Sequence, residues 1–166
     1  MDLRNTLRQF LLPSFTPRFL LRLALVAGVA YLFFGYLCIP LRIKGASMEP
    51  TYHDGSWNFC WRGAYLFSEP RRSEVVLVRF AGSKVMLLKR VVALAREQIE
   101  FRSGKLCVNG KELAEPYIKY PCTWNLPPRQ VVPGQVYVIG DNRNMPIAEH
   151  DFGQTPITRI EGKPLW

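Results

Sequence analysis

The sequence predicts a mainly β protein, an antiparallel-sheet domain behind one N-terminal transmembrane helix. Residues 23–39 carry no charge and form the one long apolar run of the chain. Beyond this run, short apolar and β-branched segments are separated by turn sequences such as Asn109-Gly110, which favours a tight hairpin. Strands joined by hairpins pair antiparallel. The 166 residues suffice for one such domain beside the helix.

The N-terminal part divides into a basic segment, residues 1–18, and a transmembrane helix, residues 19–39. The 17 uncharged residues span roughly 25 Å at about 1.5 Å each, and Arg22 can reach the membrane surface. Pro40 is expected to end the helix, so that residues 40–166 form the β-rich domain. Because the arginine excess lies on the N-terminal side of the apolar run, we expect a single-pass protein with a cytoplasmic N-terminus and an exported domain.

A permanent anchor is favoured over a cleaved signal peptide, since residues 35–40 lack an A-x-A pattern. A lipoprotein signal is disfavoured by Leu37 before Cys38. The net charge of +9 fits contact with anionic lipids, whereas no basic helix with interleaved aromatics suggests nucleic acid as a partner. The arginines that flank the apolar run are Arg4, Arg8, Arg18 and Arg22.

The four cysteines form no C-x-x-C pair, so a zinc site is not expected. In an oxidising compartment we expect Cys107 and Cys122 to form a disulfide, because both fall in the same β-rich half. The alternative of four reduced structural cysteines stays open.

Short alternating segments after the helix predict the strands, and the proline-rich residues 120–133 are interpreted as a connection. Five aromatic residues suit either a core or a lipid interface, and the pattern does not choose between them. These are Trp57, Phe59, Trp61, Tyr65 and Phe67. The predicted strands are residues 41–43, 57–61, 75–80, 85–93, 99–102, 106–108 and 136–139, with a hairpin turn at 81–84.

Ser47 and Lys89 are the candidate catalytic residues. A serine hydroxyl needs a base to become a nucleophile, and a lysine can serve only when burial lowers its pKa enough to make it neutral. Lys89 lies in the apolar strand 86–92, where alternation turns Arg90 to the opposite face. The competing interpretations are a plain turn serine and an exposed strand lysine.

Two histidines and scattered carboxylates do not suggest a metal site or another cofactor. A triad of Ser47 with His150 and Asp151 is disfavoured, because neighbouring residues rarely converge on one hydroxyl.

Residues 45–51, 89–92 and 140–143 together resemble three consecutive boxes of the type I signal peptidases, in the family's order. The resemblance covers most of residues 40–162. It implies a bacterial inner-membrane serine endopeptidase with a Ser47 nucleophile and a Lys89 base, which removes signal peptides from exported preproteins. Two narrower alternatives are a processing peptidase with few substrates and a catalytically inactive β module.

The same resemblance assigns further residues. An extended peptide would lie between strands with small apolar pockets, and Arg90 would pair with Asp141 to support the site. The implied substrate-binding residues are Leu41, Ile43, Met48, Leu87 and Leu88, and the supporting residues are Arg90, Asp141, Asn142 and Arg143.

The chain departs from the family pattern at two positions near the site. Some relatives carry a hydroxyl at the position of Gly45, so the oxyanion hole here would use backbone donors such as the Ser47 N–H. The hydroxyl that supports the lysine would fall at Pro146, which cannot supply one.

Overall fold

The computed structural model describes residues 15–81 and 85–166, which form parts of two compact units, Met1–Leu37 and Cys38–Trp166. Most of the predicted basic segment 1–18 and the tip of the predicted turn at 81–84 lie outside the described residues.

The first unit contains helix α1, Pro17–Leu32, which continues as a π-helical turn, Phe33–Leu37. The Thr16 hydroxyl accepts a hydrogen bond from the Phe19 N–H at 3.2 Å, and Pro17 occupies the first turn, where its missing N–H costs nothing. Among the described residues, 17–37 are the one helical stretch long and apolar enough to cross a membrane. The helix ends two residues before the predicted Ile39.

The second unit confirms the predicted mainly β fold class. Its described strands form two antiparallel sheets, in the orders β1-β2-β11-β3-β4-β9-β10 and β7-β6-β5-β8. In chain order the strands are β1 (Cys38–Arg42), β2 (Trp57–Trp61), β3 (Val75–Ala81), β4 (Val85–Ala93), β5 (Gln98–Arg102), β6 (Lys105–Val108), β7 (Lys111–Glu112), β8 (Leu126–Gln130), β9 (Gln135–Ile139), β10 (Gly153–Pro156) and β11 (Ile160–Pro164).

Prolines explain two differences from the predicted elements. Pro40 lies inside β1 instead of ending the helix, and β8, with Pro127 and Pro128, runs through the predicted connection. Both are edge strands of the described sheets, where a residue without an N–H is tolerated.

The core lies between the sheets, where Val92 and Ile139 of the large sheet pack with Phe101 and Leu106 of the small one. On the large sheet, β4 pairs with β3 and β9 and is therefore central. This position makes β4 the rigid support for Lys89 and Arg90.

All four cysteines lie in the described part of the chain and are free thiols, so the predicted Cys107–Cys122 disulfide is wrong. Strand alternation explains this result. Leu106 and Val108 point into the core against which Cys122 packs, so Cys107 between them points away.

The five aromatic residues divide between surface and core. Alternation along β2 buries Asn58 and Cys60 and turns Trp57 outward, where it is 65% exposed. Phe67 is fully exposed, whereas Tyr65 packs against the valine cluster of β3, β4 and β9.

Candidate active site

Ser47 lies on a short 3₁₀ turn, Ala46–Met48, which follows Gly45. The Gly45 φ angle of 91° lies in the left-handed region, which favours glycine over any residue with a hydroxyl side chain. Its N–H donates to Asp54 Oδ1 at 2.8 Å. The backbone conformation at position 45 therefore suits the glycine that stands there.

Asn142 ties this turn to the end of β9. Its backbone N–H donates to the Ser47 carbonyl at 3.0 Å, and its side-chain amide donates to the Ala46 carbonyl at 3.0 Å. Asn142 therefore holds the serine turn through the carbonyl groups of two successive residues, Ala46 and Ser47.

The structure brings Lys89 to Ser47, 42 residues away in sequence, with 3.0 Å between Nζ and Oγ. Lys89 is 2% exposed and lies opposite Val76 of β3. Burial lowers the pKa of Lys89 from 10.5 to about 8, and the charge of Asp151 acts weakly in the opposite direction. A useful fraction of Lys89 is therefore neutral near pH 7, at hydrogen-bonding distance from the hydroxyl.

Arg90 points to the opposite face of β4 and forms the ion pair predicted with Asp141. Its Nε and Nη2 donate to the two carboxylate oxygens at 2.8 and 2.6 Å, and both side chains are buried. Its Nη1 donates to the Ser73 carbonyl at 2.7 Å, and the Thr51 hydroxyl donates to Asp141 at 2.6 Å. The pair joins β4 to the segment that follows β9.

Glu115 and Tyr117, both partly buried, complete this network and were not predicted. Arg143, 1% exposed, donates to both oxygens of Glu115 at 3.2 and 2.6 Å, and the Tyr117 hydroxyl donates to Glu115 at 2.7 Å. The Arg90 guanidinium stacks 3.9 Å above the Tyr117 ring. A second carboxylate could have been predicted, because two supporting arginines, Arg90 and Arg143, need more than the single carboxylate of Asp141 when they are buried.

A cavity of about 520 Å³ lies between β1 and the start of β4. Of the predicted substrate-binding residues, Leu41, Ile43, Leu87 and Leu88 line it. Met48 is not among its lining residues, because the 3₁₀ turn directs that side chain into the core, where it is 1% exposed and packs beneath the same wall. The lining residues are Ile39, Pro40, Leu41, Arg42, Ile43, Lys44, Cys60, Arg62, Leu77, Met86, Leu87, Leu88 and Glu161.

His150 is buried, at 5% exposure, and its ring packs edge-on against Trp124 with 5.0 Å between centroids. Neither ring nitrogen has a hydrogen-bond partner among the described residues. The hydroxyl of Ser47 is thus paired with Lys89 and not with this histidine.

Comparisons of the sequence with protein families and with known proteins found similar sequences. A family model described as "Signal peptidase, peptidase S26" matches residues 17–165. Signal peptidase I of Bacillus amyloliquefaciens is 30% identical over 149 residues, covering 83% of this chain and 77% of that protein. Probable signal peptidase I-1 of Synechocystis is 33% identical over 155 residues, covering 89% of this chain and 78% of that protein.

Thylakoidal processing peptidase 1 of Arabidopsis thaliana is 31% identical over 149 residues, which are 83% of this chain. The match covers 44% of the Arabidopsis protein, so the chain spans less than half the length of that relative.

Proposed function

Because the chain belongs to the signal peptidase family, peptidase S26, we propose that it is a membrane-anchored serine endopeptidase that removes N-terminal signal peptides from preproteins. The observation that carries the proposal is the 3.0 Å contact between Ser47 Oγ and the buried Lys89 Nζ. The same contact disfavours a catalytically inactive module, which would have no need to keep a lysine desolvated at a cost in stability.

In this mechanism neutral Lys89 accepts the Ser47 proton while Oγ bonds to the carbonyl carbon of the scissile peptide. The backbone N–H of Ser47 donates to the oxyanion that forms. The Lys89 ammonium then gives its proton to the leaving amine, and the new N-terminus of the mature protein departs. Water, deprotonated by the same lysine, releases the signal peptide from Ser47.

The cavity supports binding of an extended peptide. β1 is an edge strand of the described sheet, so a peptide can add beside it through backbone hydrogen bonds. Leu41 and Ile43 from β1 and its extension, with Leu87 and Leu88 from β4, give the groove apolar walls. Such walls suit the small apolar side chains that precede signal-peptide cleavage sites.

We place the enzyme in the bacterial cytoplasmic membrane with an exported catalytic domain. Helix α1 and the following turn supply a span of 21 residues, in which the only charged residues, Arg18 and Arg22, lie near the N-terminal end. Within the domain, exposed Trp57 and Trp166, the latter packed on Phe59, suit the interface of an anionic bilayer.

The test is cleavage of a model preprotein by the full-length chain in detergent. Wild type should release the mature protein at the A-x-A site, whereas Ser47→Ala should not. Exposed Ser68 offers a matched control, and Ser68→Ala should cleave like wild type. Turnover by Ser47→Ala equal to that of wild type would contradict the proposal. So would unchanged cleavage of a preprotein in which a bulky residue replaces the second alanine of the A-x-A site.

A further inference from the structure

Lys89 has unused hydrogen-bonding capacity in a buried site. Among the described residues its Nζ has one hydrogen-bond partner, Ser47 Oγ. After it takes the serine proton, the amine becomes an ammonium with three N–H donors. At 2% exposure, donors without acceptors cost free energy, so the site requires a further acceptor near Nζ.

His150 has the complementary unused capacity. Both of its ring nitrogens are buried without a partner among the described residues. Burial lowers the pKa of His150 to about 4, helped by the charges of Lys89 and Arg143. The imidazole is therefore neutral at working pH, with one nitrogen that accepts and one that donates.

The surroundings of Gly140 place this ring close to Lys89. The β4–β9 ladder pairs Arg90 with Ile139, so its continuation by one residue sets Lys89 opposite Gly140. Cβ atoms of residues opposite each other lie about 4.5–5.5 Å apart on the same face. A Cβ on Gly140 would lie 2.2 Å from the Ser47 carbonyl oxygen, 2.6 Å from His150 Cε1 and 3.0 Å from its Nε2.

The space beside the Lys89 stem is thus filled by the backbone of Ser47 and by the Cε1–Nε2 edge of His150. Trp124 and Phe152 hold the ring in this orientation, at centroid distances of 5.0 and 6.1 Å. These contacts restrict the ring to one orientation close to the lysine.

We propose that His150 is a positioning residue for Lys89: a neutral ring nitrogen accepts a hydrogen bond from Nζ, directly or through one water, and keeps the amine aimed at Ser47. The catalytic role of His150 rests on the proposed function, whereas its contact with Lys89 rests on the geometry alone. Pro146, four residues earlier in the same loop, has neither a hydroxyl nor an N–H to serve Lys89. In this role His150 touches no substrate and carries no proton in the reaction.

The kinetic test compares His150→Phe, which keeps a ring but removes both nitrogens, with His150→Gln, which restores an acceptor near the Nε2 position. His150→Phe should lower kcat on the order of 10- to 100-fold with little change in KM, as expected for a misplaced catalytic group. His150→Gln should recover a large part of that loss. His53→Phe is the control, because the other histidine of the chain is exposed and should be dispensable.

Wild-type kcat in His150→Phe, or equal impairment of His150→Phe and His150→Gln, would overturn the proposal. A second measurement does not depend on activity or on a His150 variant. The full-length chain in detergent has two histidines, and ¹⁵N-histidine NMR resolves them. In Lys89→Met, the unprotonated nitrogen of His150 should move downfield by several ppm as it loses its donor, while His53 stays unchanged.

An unchanged His150 signal in Lys89→Met would overturn the contact itself. Since no substrate is present, this result is independent of whether the enzyme cleaves signal peptides. A preparation that shows the NMR shift but no preprotein cleavage would contradict the proposed function and leave the contact established.

Discussion

Replacing Lys89 by methionine should stabilise the protein while it abolishes catalysis. Lys89 is 2% exposed, and its pKa is lowered from 10.5 to about 8, chiefly by burial. This lowering means that the buried charge of Lys89 destabilises the folded state by about 3 kcal/mol at neutral pH. Methionine fills a similar volume without charge, although it loses the hydrogen bond to Ser47, so we expect a gain of about 2 kcal/mol at pH 7.

The stability difference between wild type and Lys89→Met should depend on pH. Between pH 8 and 10.5 the folded state has lost the Lys89 proton while the unfolded state keeps it, so wild-type stability rises with pH. Below about pH 8 both states are protonated and the full penalty applies. The advantage of Lys89→Met should therefore be largest at pH 7 or below and should shrink as the pH rises towards 10.5.

Urea unfolding of the full-length chain at several pH values measures this difference. Subtracting the two curves removes the contribution of other titrating groups, such as Tyr65 and Tyr117, whose pKa values burial raises. Lys111→Met, at an exposed position, is the control and should change stability by less than about 0.5 kcal/mol. Parallel curves for wild type and Lys89→Met, or a lower stability of the variant at pH 7, would refute the reasoning.

Three further predictions concern the same site. Asp141→Ala should lose about 3–5 kcal/mol of stability in urea, because it leaves Arg90 buried and unpaired; an unchanged midpoint with lost activity would instead give Asp141 a direct catalytic role. Gly140→Ala should abolish cleavage, since its Cβ would lie 2.2 Å from the Ser47 carbonyl oxygen; wild-type turnover would contradict the packing described. The kcat/KM of wild type should rise with pH and level off above about pH 8, and a rate that falls across this range would exclude neutral Lys89 as the base.

Much of the site was predictable because its determinants are local. Alternation along one strand suffices to separate Lys89 from Arg90, and the apolar neighbours of Lys89 indicate burial. The partner of Arg90 followed from the same alternation and the family resemblance. The 3.0 Å contact of Ser47 with Lys89 agrees with what the sequence predicts, while their catalytic roles stay predictions.

Other features depend on tertiary contacts that no local pattern records. β11 is central in the large sheet, yet its sequence contains Glu161, Gly162 and Pro164 and has no alternating apolar pattern. It is stabilised instead by ion pairs of buried Glu161 with Arg62 and Arg79. In the same way, His150 gains its position from packing against aromatic side chains and not from its neighbours in sequence.

The central claim, that Ser47 and Lys89 act as one unit, is tested most directly by a double-mutant cycle on preprotein cleavage. Ser47→Ala and Lys89→Ala should each abolish turnover, and the double variant should be no worse than either, because each change alone removes the nucleophilic step. Losses that multiply in the double variant, or substantial turnover by Lys89→Ala, would show that the two residues act independently and would contradict the mechanism.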